Sequence, residues 1–256
     1  MIPAGAVIVP DGILEEIPFE CLAAPGPERT RWFLEGPPLS YAPSCAVLLE
    51  MDRRSSAPDR EREEAVLVAS AAAGGPEMPF GDVEARAVAA TFERSSVIRL
   101  EGEACRKNDF LERVGRFRVL HLTLHGRTDR ARTGLAFAPG PGDDGVLWPH
   151  EVYGLSLSPD LVVLSGCSTG RGERIEGSGV LGLAHAFLLA GASRIVVSLW
   201  PVDDEAAART MASFYEEMRR GKRPAEALRA ARLGLVGDPS HREPFFWAPF
   251  VLIGPS

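Results

Sequence analysis

A thiol and an imidazole stand at equivalent places in this 256-residue chain. His125 follows the apolar run Val119-Leu120-His121-Leu122-Thr123-Leu124 and precedes Gly126. Cys167 follows Leu161-Val162-Val163-Leu164-Ser165-Gly166 and precedes Ser168-Thr169-Gly170. A free cysteine is mostly protonated at neutral pH, and an adjacent imidazole can take the proton or stabilise the thiolate. Attack on a carbonyl then creates an oxyanion that needs backbone N–H donors. The amides of Gly126 and Cys167 are the natural pair, and Gly166 and Gly170 leave room around the sulfur. Taken singly, each residue reads as structural. Together, each closing a run beside a glycine, they read as a Cys–His nucleophile pair.

Other polar residues support or compete with this pair. Asp203 and Asp204 close the stretch Leu199-Trp200-Pro201-Val202. One of them is expected to cap the following helix, leaving the other to line a pocket that favours a basic substrate side chain. His121 lies four residues before His125 on the same face of a strand and reads as a packed core residue. A zinc site from His121, His125 and Cys167 would lack a fourth ligand and a metal-like spacing, so no metal or other cofactor is expected. His150 and His185 read as ordinary polar positions on or near helices, and His241 as a solvated loop residue. Cys21, Cys45 and Cys105 have no His-Gly partner nearby and read as small hydrophobes.

The two runs read as buried strands of a parallel sheet, whose ligands sit beyond the carboxyl ends. From residue 65 the pattern alternates. Strands are expected at Ala65–Ala69, Val97–Leu100, Val119–Leu124, Asp160–Ser165, Arg194–Leu199 and Phe245–Ile253, with a small extra one at Gly134–Ala138. Helices are expected at Asp82–Arg94, Asp109–Gly115, Val180–Ala190 with Gly191 as its stop, Asp203 or Asp204 to Arg220, and Pro224–Val236. Pro249 suggests an edge or bulge for the last strand. Six strands alternating with helices make a doubly wound α/β sheet. The first 55 residues are irregular, with short strands at Ala6–Val9 and Trp32–Leu34 and a helix capped by Ser44. They add to the sheet's edge or cover it. The charged segment Arg53–Glu64 reads as a surface loop.

Composition narrows the class. Apolar content of 45% with 25% charged residues is that of a soluble globular protein. A net charge of −7 without a basic patch argues against nucleic acid. The four cysteines form no C-x-x-C pair, which fits free thiols in the cytoplasm. The start lacks a secretory signal, and His185, Gly191 and Arg194 interrupt the stretch Val180–Trp200, so no membrane segment is expected.

These residues resemble a family. Ile8-Val9-Pro10-Asp11-Gly12, Ile17-Pro18-Phe19-Glu20, Ser40-Tyr41-Ala42-Pro43-Ser44, Leu120 to Gly126, Leu161 to Gly170, Gly179 to Asp204 and Trp247 to Gly254 are similar to the motifs of the CHAT domain, in the caspase and separase group of cysteine peptidases. The resemblance implies a caspase-like three-layer αβα sandwich around a mostly parallel six-stranded sheet. It implies one domain over residues 1–256, with 1–55 an irregular subregion and 65–256 the core. It implies His125 and Cys167 as the dyad, without an obligatory third member. Asp204 or Asp203 would floor the specificity pocket, implying cleavage after Arg or Lys. The implied setting is a regulated bacterial proteolytic switch acting on protein substrates in phage defence or cell death. Family members often follow sensor repeats, which are not seen here, so a separate regulatory protein or an upstream region would supply control. The loop carrying Arg171, Glu173, Arg174 and Glu176 is either the place where activation acts or a solvated segment. The competing reading is a catalytically silent CHAT-fold scaffold or protein-binding module.

Overall fold

A computed structural model describes residues 5–26, 31–56, 64–71, 78–129, 132–166 and 178–256. In chain order its strands are β1 (Ala6–Ile8), β2 (Ala23–Ala24), β3 (Arg31–Trp32), β4 (Leu39–Tyr41), β5 (Glu64–Ala71), β6 (Val97–Glu101), β7 (Phe117–Leu124), β8 (Gly126–Asp129), β9 (Arg132–Ala136), β10 (Val146–Leu147), β11 (Leu161–Leu164), β12 (Ile195–Ser198) and β13 (Phe250–Ile253). The α-helices are α1 (Cys45–Ser55), α2 (Gly81–Ala90), α3 (Lys107–Arg113), α4 (Pro149–Tyr153), α5 (Ser178–Ala190), α6 (Asp204–Arg219), α7 (Pro224–Val236) and α8 (Pro244–Trp247).

The central sheet has eight strands in the order β1-β4-β13-β12-β11-β7-β5-β6. Neighbours are parallel throughout, except that β13 runs antiparallel to β12. The protein is thus a mostly parallel α/β sandwich. Six of these strands are those expected from the alternating pattern, and β1 and β4 extend the sheet at one edge. The N-terminal region therefore adds to the sheet.

The central strands are apolar on both faces because helices cover both. On one side α5 places Leu183, Ala184 and Phe187 against Leu120, Leu122, Leu124, Val162 and Leu164, with Met51 of α1 and Phe110 of α3 in the same cluster. On the other, α2, α6 and α7 bury Val88, Met211, Phe214 and Leu228 against Val68, Val119, Val163 and Val196. Gly191 ends α5 at φ 123°, a conformation that spares glycine the usual steric cost. A Cβ there would lie 1.9 Å from the Leu157 carbonyl oxygen.

Several elements differ from the sequence expectation. The final strand begins at Phe250, because Pro244 opens a helical turn over Phe245 to Trp247. It lies inside the sheet between β12 and β4, with Pro249 just ahead of it and accepting from Leu199 N–H through its carbonyl. The expected strand at Trp32–Leu34 is instead β3 followed by a 3-10 turn at Phe33–Glu35. The segment expected at Gly134–Ala138 is β9, the middle strand of a separate antiparallel sheet β10-β9-β8. The expected surface loop at Arg53–Glu64 is helical as far as Ser55, and residues 57–63 lie outside the described residues. His241 is buried rather than solvated, 3.0 Å from an Arg209 nitrogen and stacked edge-on against Phe246.

Candidate active site

β7 and β11 are adjacent, parallel and in register, with Leu122 opposite Leu164. Ser165 N–H continues the ladder to Leu122 O at 3.0 Å. Their carboxyl ends therefore leave the sheet side by side. Gly166 is pressed against that end of β7: a Cβ on it would lie 2.4 Å from Leu124 N and 2.7 Å from Leu124 O. His125, the next residue after β7, is 3% exposed. Cys167, the next residue after Gly166, lies outside the described residues, as does the charged loop carrying Arg171, Glu173, Arg174 and Glu176.

The backbone beyond His125 turns into β8. Ala136 N–H donates to His125 O at 2.9 Å, across the pair Gly126–Leu135. That bond makes Gly126–Leu135 a non-hydrogen-bonded pair of the antiparallel ladder, so Gly126 directs its own N–H away from β9. β8 is the outer strand of its small sheet, so among the described residues no further strand takes up that amide.

The helix starts at this edge carry the carboxylates. Asp203 caps α6, its side chain accepting from Ala206 N–H at 2.9 Å. Asp204, half-buried, accepts the Phe80 N–H through Oδ2 at 2.8 Å and so ties the start of α6 to the start of α2. Burial raises the Asp204 carboxyl above its ordinary range against the pull of the Phe80 N–H; Glu84 and Asp203 add to the rise, and His125 opposes it. The last places contribute a polar floor. On the α2–α6 face, Ser70 pairs with Thr123, and the registers place Ser165 and Ser198 in the same row. All four are buried.

Beneath lies a buried cluster that the sequence reading resolved only in part. His121 is a core residue, as expected, but a bonded one. Its Nε2 is 2.9 Å from Glu84 Oε1 and its Nδ1 is 3.2 Å from Tyr215 Oη. Thr123 donates to the same Glu84 oxygen at 3.3 Å. Glu84 was legible in principle: it occupies the inward stripe Gly81, Glu84, Ala85, Val88 of α2, where a charge needs a buried partner. Of the other thiols, burial raises Cys105 to about 12 and raises Cys21 as well, while Cys45 is exposed. His185 is exposed and borders a cavity of about 200 Å³ with Tyr41, Leu199, Val251 and Ile253. Among the described residues no group of three or more His, Cys, Asp or Glu could hold a metal ion, and no helix is long and apolar enough to cross a membrane.

Comparison with known proteins defines the class. The CHAT domain model matches residues 6–255, so the chain belongs to the CHAT domain family. Human tetratricopeptide repeat protein 28 is 35% identical over 114 residues, covering 44% of this chain but 5% of that protein. Among solved structures, the Saccharomyces cerevisiae separase–securin complex matches with a TM-score of 0.60 at 16% identity, covering 94% of this chain and 15% of that one. The Arg-specific cysteine proteinase gingipain R (RgpB, from Porphyromonas gingivalis) matches with a TM-score of 0.54 at 13% identity, covering 85% and 54% respectively. At these identities the likeness is one of fold, and the fold is that of caspase-like cysteine peptidases.

Proposed function

We propose that this chain is a cysteine endopeptidase acting through Cys167 and His125. The Cys167 thiolate adds to the scissile carbonyl carbon, and the N–H groups of Gly126 and Cys167 hold the resulting oxyanion. Collapse breaks the C–N bond, and His125 gives its proton to the departing amine, leaving a thioester. Water then attacks the thioester, His125 takes its proton, and the acid product and free thiol are released.

The observation that carries this reading is the pairing of β7 with β11. It puts His125 and Gly166, the residue before Cys167, at one edge of the sheet. The outward Gly126 N–H fits an oxyanion donor. The capping role of Asp203 leaves Asp204 to receive a basic side chain ahead of the scissile bond. The proposal extends to protein substrates, a separate regulatory protein and a role in a bacterial defence or cell-death pathway.

Cys167→Ala and His125→Ala are expected to abolish peptide cleavage without unfolding the chain; full activity in both variants would overturn the mechanism. Profiling cleavage with peptides varied before the scissile bond tests the pocket, and indifference to charge there would remove Asp204 from it. The scaffold reading draws on the relative whose name marks a tetratricopeptide repeat protein. Iodoacetamide labelling separates the two. Labelling of Cys167 that is fast and lost in His125→Ala favours the enzyme, and labelling no faster than at Cys21, Cys45 or Cys105 favours the scaffold.

A further inference from the structure

Glu84 is a carboxylate at 1% exposure, inside the layer between the sheet and helices α2 and α6. A charge at such depth is costly unless bonded. Its bonded partners, His121 and Thr123, are the two residues that precede His125 on the same face of β7. We propose that Glu84 is a positioning residue for His125: its carboxylate grips His121 and Thr123, fixes the last turn of pleat in β7, and sets a negative charge beneath the imidazole. This inference rests on the Cys167–His125 reading above.

The grip is two-sided. Thr123 O–H donates to Glu84 Oε1, His121 Nε2 lies 2.9 Å from the same oxygen and 3.1 Å from Thr123 Oγ1, and His121 Nδ1 lies 3.2 Å from Tyr215 Oη. Burial and the Glu84 charge keep the Tyr215 phenol well above its ordinary range, so it stays a donor. Glu84 itself sits in the first turn of α2, a favourable place for an anion. Gly81, one turn earlier, shows how near that helix starts to β7: a Cβ there would be in ordinary contact with the Thr123 methyl, at 3.4 Å. The groups facing Glu84 are His121 from β7 and Tyr215 and Asp204 from α6, with Asp203 and His125 beyond Asp204. None of these is a lysine or arginine. The Glu84 charge acts on His125, which follows Thr123 by about 7 Å along the strand, and through that imidazole on Cys167.

The test uses Glu84→Gln, which keeps volume and acceptor but removes the charge. Iodoacetamide labelling of Cys167 is expected to slow about tenfold at pH 7, the order of effect of one buried charge at this range. Its pH–rate profile should move to higher pH, with a thermal midpoint that still reports a folded chain. A merely structural role would lower the midpoint without moving the profile. Should Glu84→Gln fail to fold, Thr123→Val removes one hydroxyl from the grip and is expected to slow labelling severalfold. Wild-type rate and profile in whichever variant folds would overturn the inference. Wild-type labelling that does not depend on His125 would instead sink the peptidase reading on which it rests.

Discussion

Asp204 bears two demands that pull in opposite directions. As the acceptor of the Phe80 N–H it ties α6 to α2; as the proposed pocket floor it must stay ionised although burial and the charges of Glu84 and Asp203 disfavour that. The folded carboxyl holds its proton more tightly than the unfolded one. Its contribution to stability is therefore full below the unfolded value, about 3.9, and is lost as pH rises through the folded value. At neutral pH the ionised group is a standing cost, of the kind found where function overrides stability. Asp204→Asn keeps an acceptor for Phe80 and removes that cost. We predict a thermal midpoint at pH 7 at least as high as wild type, converging with it below about pH 3.5. On peptides with Arg or Lys before the scissile bond, kcat/KM should fall roughly 10- to 100-fold, the equivalent of one charged hydrogen bond. Thermal melts at both pH values and paired peptide substrates check both arms.

At the scale of elements, the site depends on how closely β11 approaches the end of β7. Gly166→Ala would put a methyl 2.4 Å from Leu124 N and 2.8 Å from the Thr123 carbonyl carbon. Backbone cannot yield as a flexible side chain can, so the strand ends must part. We expect a loss of about 2 kcal/mol or more, read as a fall in thermal midpoint of roughly 4–8 °C, together with loss of His125-dependent labelling. β7 and β11 were legible because a buried parallel strand is an unbroken apolar run bounded by turn residues. The helix starts were legible through Ser44, Asp203 and Pro224, whose side chains or ring declare a terminus. β4 was not, since three residues carry no period. β8 reads Gly-Arg-Thr-Asp and is mostly exposed, so it offers no apolar signal. Phe245–Trp247 looked like strand by composition, yet Pro244 fixes a helical start, and Trp247 Nε1–H returns to Arg242 O at 2.9 Å. The His125 and Gly126 positions were readable from their place after an apolar run, whereas the Glu84 cluster depends on α2 lying across β7, which no local pattern states.

Over the whole molecule, the N-terminal segment and the C-terminal helices are held together by a buried ion pair between residues 212 positions apart. Arg232 of α7 pairs with Glu20, both almost fully buried, and Tyr41 of β4 donates to the same carboxylate while accepting the Phe19 N–H. Burial and the Glu20 charge keep the Tyr41 phenol protonated and hence a donor. The motif Ile17-Pro18-Phe19-Glu20 gives no hint of a partner so distant, so this tie was out of reach of local reading. Its energetics follow from the cost of isolating a buried charge. Removing one partner leaves the other desolvated and unpaired, typically at about 3–5 kcal/mol, whereas replacing both with apolar residues is often near neutral. Glu20→Leu should therefore lower the thermal midpoint by roughly 6–20 °C, and Arg232→Leu should do the same. The double variant should recover most of either loss, reduced by the acceptor that Tyr41 also loses. If the two losses simply add in the double variant, the pair is not coupled and the N-terminal strands are held by their sheet pairing and packing. The same four proteins, assayed for His125-dependent labelling of Cys167, then report whether a firmly seated N-terminal edge is needed for a site built some strands away, at β7 and β11.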